Sequence, residues 1–243
     1  MLIYNDYEGQ WRYKEDIMRS LTLVVLAILL LAGTASAGVF GPPEPLADPG
    51  KVSLDAGYFL DRTRMKQDDD RLGTRSNQYY LQGNYTFLKD WEVYGRIGGT
   101  DEVVHSRDTQ QRIGDGANVF GSLGFKGVAY RSGNFAIGPF VEGSMYGDQG
   151  GIAKNQWEAN VGVAAQYRIR SVTVYGGPFA YWRQADSQLA LATPVSQNDI
   201  KESHNIGTFL GVRFPLVQQK VFLTAEAQMK DRPGLGATIS YKF

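Results

Sequence analysis

The sequence predicts an all-β fold, a transmembrane antiparallel up-and-down β-barrel of ten strands. Apolar and polar residues alternate with a period of two in ten segments between residues 51 and 243. Long and short connections alternate between these segments, as in barrels whose two ends face different compartments. The 29 Gly, 14 Tyr and 12 Phe are typical of closely packed strands. An eight-stranded barrel is the alternative, if the last two segments are not strands.

Composition excludes several classes of function. The 25 basic and 25 acidic residues give a formal net charge of zero, whereas a nucleic-acid binder needs a basic surplus to neutralise phosphates. The chain has no cysteine and therefore no disulfide framework, no thiolate metal site and no lipid-modified cysteine. Because it also lacks a glycine-rich phosphate loop and zinc-ligand spacing, we expect no cofactor and no bound metal.

The first 37 residues predict a targeting segment. A mainly apolar run at residues 21–32, in which Thr22 is the one polar residue, follows Arg19 and precedes the small residues Ala35, Ser36 and Ala37. This is the A-x-A pattern of a signal-peptidase site, and a run of 12 residues is short for a membrane anchor, which needs ~20. We therefore predict a cleaved signal peptide at residues 18–37 and export by the general secretory route, with residues 1–17 an extension upstream of the initiator.

Residues 38–50 contain four prolines in 13 positions. Such a composition favours extended chain without secondary structure of its own. We therefore predict a periplasmic tether at residues 38–50, followed by the barrel domain at residues 51–243.

The ten alternating segments each place apolar side chains on one face of a strand. In the sixth segment Trp157, Val161 and Val163 share one face, while Glu158 and Asn160 lie on the other. The segments span residues 52–61, 79–87, 91–97, 118–129, 135–145, 157–169, 172–183, 206–214, 221–230 and 235–243.

The connections between these segments indicate a membrane barrel and not a soluble one. The short turns lie at residues 89–90, 132–134, 170–171 and 218–219, and the long polar connections at residues 66–77, 102–116, 147–155 and 184–205. Outer-membrane barrels have short periplasmic turns and longer external loops. In such a barrel the apolar face contacts lipid and the polar face fills the lumen.

The chain ends in an alternating strand that closes on Tyr241 and Phe243. This ending resembles the carboxyl-terminal assembly signal of bacterial outer-membrane barrels. Over residues 51–243 the chain resembles the small outer-membrane barrel families, such as the OmpA-type transmembrane domain and its opacity-protein relatives. The resemblance implies residence in a Gram-negative outer membrane and contact with its lipids and lipopolysaccharide. It also implies recognition of the terminal strand by periplasmic chaperones and the barrel-assembly machinery.

The polar face carries six acids and seven bases that we predict to lie in the lumen. They are Asp55, Asp61, Glu92, Arg96, Lys126, Glu142, Glu158, Arg168, Arg183, Arg213, Glu226, Lys230 and Lys242. A barrel of this size has an interior barely wide enough for its own side chains. We therefore predict that opposite charges pair and close the lumen; a conducting pore of low ion selectivity is the alternative.

Catalysis and partner binding are the competing functions. The two histidines, His105 and His204, lie in predicted outer connections beside Ser106 and Ser203. Adjacent residues of an extended chain point apart, so neither pair forms a nucleophile and base. We therefore predict a non-enzymatic protein with a structural or small-solute pore role. The alternatives are a lipid-modifying enzyme or omptin-like protease that uses loop His and Asp residues, and an adhesin that binds through residues 184–205.

Overall fold

The computed structural model describes residues 39–67, 70–106, 112–113, 117–147, 153–187, 200–202, 205–217, 219–230 and 232–243. Strands dominate this part of the chain. They are β1 Val52–Gln67, β2 Asp70–Leu88, β3 Trp91–Ser106, β4 Arg112–Ile113, β5 Ala117–Gly127, β6 Tyr130–Ser132, β7 Phe135–Tyr146, β8 Ala153–Ile169, β9 Val172–Ser187, β10 Ile200–Glu202, β11 Ile206–Val217, β12 Val221–Met229 and β13 Pro233–Lys242. Within the described residues, no helix is long and apolar enough to cross a membrane.

The described strands close into a ten-stranded antiparallel barrel. Strand β1 pairs with β13 on one side, from Ser53 opposite Lys242 to Leu60 opposite Leu235, and with β2 on the other. The wall strands are β1, β2, β3, β5, β7, β8, β9, β11, β12 and β13. The predicted fold class and strand number are therefore confirmed, and the eight-stranded alternative is wrong because β12 and β13 pair within the wall.

Several strands are longer than the alternation of apolar residues predicts. Strands β1 and β2 pair as far as Gln67 opposite Asp70, so most of the connection predicted at residues 66–77 is strand. Strand β3 reaches Ser106, and β10 pairs with both β1 and β9 within the connection predicted at residues 184–205. The backbone ladder satisfies its own donors and acceptors, so the strands continue past the last apolar side chain.

The two faces of the wall differ sharply in polarity. Large apolar side chains point outward and remain exposed, including Ile97 at 70%, Leu123 at 76% and Met145 at 74%. Their neighbours in sequence point inward and are buried, as the alternating burial along β7 shows. A continuous exposed apolar band of this kind needs an apolar surrounding medium.

Inward aromatic rings cover glycines that lie directly opposite on the neighbouring strand. The pairs are Phe59 with Gly236, Tyr80 with Gly57, Tyr94 with Gly124, Phe140 with Gly162, Tyr175 with Gly211 and Phe179 with Gly207. A Cβ at any of these glycines would overlap the ring that covers it. The lumen thus accommodates large rings because the facing strand carries no side chain there.

Replacing Gly124 with alanine is expected to lower the free energy of unfolding by about 1–3 kcal/mol, since the new methyl group displaces the Tyr94 ring. The displaced phenol also loses its 2.8 Å hydrogen bond to Glu142. Urea unfolding in lipid vesicles, followed by tryptophan fluorescence, measures the change.

The matched control for this prediction is Gly143→Ala, because no atom beyond Gly143 and its two chain neighbours lies within 4 Å of the Cβ position. We expect this control to change the free energy of unfolding by less than about 0.5 kcal/mol. Equal effects of the two variants would contradict the assignment of Gly124 as space for the tyrosine ring.

Candidate functional site in the barrel lumen

Three ion pairs cross the lumen between neighbouring or distant strands. Arg96 Nη1 lies 3.3 Å from Glu142 Oε1, Lys126 Nζ lies 3.3 Å from Glu92 Oε1, and Lys230 Nζ lies 2.8 Å from Glu158 Oε1. None of these six side chains is more than 4% exposed. Charges buried to this extent are tolerated only when they are paired and hydrogen-bonded.

Arg96 on β3 has a partner for each of its three guanidinium nitrogens. Its Nε donates to Gln82 Oε1 at 2.9 Å, its Nη1 to Glu142, and its Nη2 to the carbonyl of Val39 at 3.0 Å. The guanidinium carbon also lies 4.4 Å from the centroid of the Tyr80 ring. Arg96 therefore links the wall to a part of the chain that precedes the barrel.

Residues 39–50, the N-terminal segment, enter the lumen from the end that carries the short turns. Val39, Phe40 and Ala47 are each 6% exposed or less, whereas Asp48 lies at the mouth. Residues 39–47, which we predicted to belong to an extended tether at residues 38–50, instead fill part of the lumen. The proline-rich composition of the segment does favour extended chain, but its apolar side chains gain burial only inside the lumen.

Phe40 anchors the N-terminal segment in an aromatic cluster. Its ring centroid lies 4.5 Å from that of Phe140, 5.1 Å from that of Phe179 and 5.3 Å from that of Phe209. Two of these contacts are edge-to-face, a favourable geometry for aromatic pairs. The cluster draws its wall residues from three different strands, β7, β9 and β11.

The wall also binds the backbone of the N-terminal segment. The amides of Phe40 and Gly41 donate to the two carboxylate oxygens of Glu226, at 3.0 and 2.9 Å. Lys126 Nζ donates to the carbonyl of Phe40 at 2.8 Å. Glu226 also accepts from Tyr175 at 2.8 Å and from Gln228 at 2.6 Å, so four donors surround this buried carboxylate.

Glu44 forms a second anchor near the mouth of the lumen. Its carboxylate accepts from Arg131 at 2.8 Å, from Gln166 at 2.7 Å and from Arg168. Burial raises the pKa of the Glu44 carboxyl, but the hydrogen bonds from Gln166 and Arg131 and the charge of Arg168 outweigh it. The pKa of Glu44 consequently lies below its ordinary value, and the carboxylate is charged at neutral pH.

The other predicted lumen residues have partners of different kinds. Asp55 accepts from Gln82 and Asn84, and the guanidinium carbon of Arg183 lies 5.5 Å from the Tyr146 ring centroid. Arg213 donates to Thr224. Arg168 and Lys242, which we predicted to pair within the lumen wall, instead meet acids of the N-terminal segment, Glu44 and Asp48.

The remaining predicted positions lie at the chain ends or outside the described residues. Tyr241 and Phe243 point outward, with ring centroids 4.9 Å apart. The side chain of Asp61 and the cleavage residues Ala35 and Ala37 fall outside the described part of the chain. His204 also lies outside it, while the backbone of His105 forms part of β3, opposite Gly73. Across the described positions, no three His, Asp or Glu side chains converge as metal ligands.

Sequence reasoning missed the role of Val39, Phe40, Gly41 and Glu44. These residues lie in a stretch without strand periodicity, and proline-rich composition is equally typical of a solvated linker. The one signal in the sequence was an apolar pair, Val39 and Phe40, immediately before a glycine and two prolines.

Comparison with known proteins finds similarity in structure but not in sequence. No family model matches the sequence, and no curated protein matches it. The translocator domain of the autotransporter NalP from Neisseria meningitidis is similar in structure, with a TM-score of 0.51 and 11% identity, over 97% of this chain and 98% of that domain. An outer-membrane channel from Pseudomonas putida F1 has a TM-score of 0.49 and 11% identity, over 84% and 99%. The outer-membrane protease OmpT from Escherichia coli has a TM-score of 0.42 and 10% identity, over 80% and 97%.

These likenesses concern the fold. The chain is a closed ten-stranded antiparallel barrel, the fold that the sequence predicted. In this barrel, buried ion pairs and the N-terminal segment together occupy the interior.

Proposed function

We propose that the protein is an integral outer-membrane barrel with a closed lumen, which has a structural role and presents its long connections at the outer surface. The observation that carries this proposal is the filling of the lumen by side-chain ion pairs and by residues 39–47. A solute would have to displace buried, paired charges to pass, and breaking such pairs is costly.

Three features support the location and partners in this proposal: the exposed apolar band, the last strand and the apolar run at residues 21–32. The exposed apolar band suits contact with outer-membrane lipids, and the long connections would meet lipopolysaccharide. The outward Tyr241 and Phe243 on the last strand suit recognition by periplasmic chaperones and the barrel-assembly machinery. The apolar run at residues 21–32 supports export as a signal-peptide precursor.

The closed lumen predicts that the refolded mature protein produces no steady single-channel steps in a planar bilayer. Heat-modifiable gel mobility and protection of the wall from protease establish that the same preparation is folded and inserted. An open porin, reconstituted in parallel, provides the positive control. Steady unitary steps from the folded protein would contradict the closed lumen.

The proposed role is non-enzymatic, and we expect no cleavage of peptides and no modification of lipid A by the purified protein. The backbone of His105 lies near the end of β3. Because successive residues of a strand point to opposite faces, we expect His105 and its neighbour Ser106 not to form a nucleophile and base. Turnover that is lost in both His105→Ala and His204→Ala would replace the structural role with a hydrolase or acyltransferase.

A further inference from the structure

The lower half of the lumen, nearer the short turns, has the properties of a peptide-binding site. Wall side chains bind main-chain atoms of the N-terminal segment: Glu226 binds two amides, and Lys126 and Arg96 bind one carbonyl each. Binding through main-chain atoms is the usual way in which a protein holds an extended peptide.

The hydrogen-bonding capacity of the N-terminal segment matches this site residue by residue. Between positions 40 and 45, the amides of Phe40 and Gly41 donate to Glu226, and the amide of Glu44 donates to Gln166 at 3.2 Å. The other three positions are prolines, which have no amide hydrogen. An ordinary residue at those positions would bring an additional donor into the lumen, where an unpaired donor is costly.

Two positions of the N-terminal segment are also selected by shape. The aromatic cluster of Phe140, Phe179 and Phe209 accepts the ring of Phe40, which is 2% exposed. Gly41 has a φ of +73°, in the left-handed region, and a Cβ there would lie 3.0 Å from Lys126 Nζ. The site therefore selects an aromatic residue followed by glycine.

A third element of selection is charge. Arg131 and Arg168 at the mouth both contact the Glu44 carboxylate, three residues after Gly41. The site thus selects a peptide in which an aromatic residue is followed by Gly, Pro, Pro and an acidic residue.

The residues that form the site belong to the wall and also contact one another. The wall ladder begins at Val52, and β1 pairs with β2 and β13 without any contribution from residues 39–47. Glu226 also has the wall partners Tyr175 and Gln228, and Arg96 has the wall partners Glu142 and Gln82. The segment continues into the wall at Lys51, and this attachment gives it a high effective concentration in the lumen.

We propose that the lower half of the lumen is a binding site for an extended peptide of the pattern aromatic–Gly–Pro–Pro–acidic. The chain's own residues 39–47 occupy this site, and a peptide of the same pattern supplied in trans enters it once the covalent attachment is cut. The occupant of the site in the intact protein is therefore the chain's own N-terminal segment.

The test cuts the attachment after folding. A recognition sequence for a specific protease is inserted between Gly50 and Lys51, both of which are exposed, and the full chain is folded before cleavage. We expect the released N-terminal peptide to remain with the barrel through gel filtration. A fluorescent synthetic peptide of residues 39–50 should then replace it with saturation at one site.

Competing peptides distinguish specific binding from adsorption. A peptide with Phe40→Ala should compete about 100-fold more weakly, while a peptide with Asp48→Asn, altered at the exposed mouth, should compete like the original. The site is overturned if the cut barrel keeps its heat-modifiable mobility yet binds no labelled peptide, or if the two altered peptides compete equally.

If the insertion prevents folding, the uncut double variant Phe40→Ala/Glu44→Gln provides the second test. Both side-chain anchors of the N-terminal segment are removed in this variant, so the labelled peptide should bind it and should not bind the wild-type chain. Absence of binding to the folded double variant contradicts the proposal. Neither test uses conductance, so each outcome is independent of the closed-lumen role proposed above.

Discussion

Replacing Arg96 with methionine is expected to lower the free energy of unfolding by about 3–5 kcal/mol, a large effect for a single substitution in the wall. The substitution leaves the Glu142 carboxylate, 3% exposed, without its cation and with Tyr94 as its remaining hydrogen-bond partner. It also removes the donors to Gln82 and to the carbonyl of Val39. Urea unfolding in lipid vesicles measures the loss.

Two further variants test whether the loss of stability comes from the unpaired buried charge or from the loss of contacts alone. The double variant Arg96→Met/Glu142→Gln should recover part of the stability, because the neutral amide still accepts from Tyr94 and no buried charge remains. Lys242→Met, at the more exposed pair with Asp48, should cost less than about 1 kcal/mol. An Arg96→Met variant as stable as the wild type would show that the Arg96–Glu142 pair contributes nothing.

Replacing Phe40 with alanine should release the N-terminal segment while the wall stays folded. Removing a phenylalanine that is 2% exposed costs about 3–5 kcal/mol. The substitution should therefore weaken docking of the segment and leave the wall stable, because residues 39–47 form no strand pairs in the wall. Protease cleavage within the segment should therefore accelerate more than about 100-fold, with little change in urea unfolding of the wall.

The matched control for this prediction is Phe87→Ala, the same chemical change on the outward face of β2. Cleavage of the N-terminal segment in this variant should proceed at the wild-type rate. A wall that unfolds at lower urea in Phe40→Ala, without faster cleavage of the segment, would mean that the segment and the wall form one cooperative unit.

The strands were predictable from sequence because their outward faces carry a local signal. In a strand, successive side chains point to opposite faces, so Val161 and Val163 indicate one face and Asn160 the other without reference to the rest of the chain. Strand ends were less predictable. Residues 70–78 form part of β2 through pairing with β1 and β3, although they are largely polar.

The candidate site was predictable only in its composition. The same alternation that identifies lipid-facing residues places Arg96, Lys126, Glu142 and Glu226 inward, where all four are buried. It does not specify which of them meet. Arg96 pairs with a residue 46 positions away, while Glu226 binds backbone amides 185 and 186 positions away.

The class of this protein, a ten-stranded barrel with an apolar outer face and a charged interior, was determined by sequence alone. This was possible because the pleat of a strand translates directly into a period of two. That residues 39–47 occupy the lumen was decided only in the tertiary structure, because their placement depends on closure of the barrel. Closure brings Glu226, Lys126 and three phenylalanines from separate strands around a proline-rich segment that carries no periodic signal.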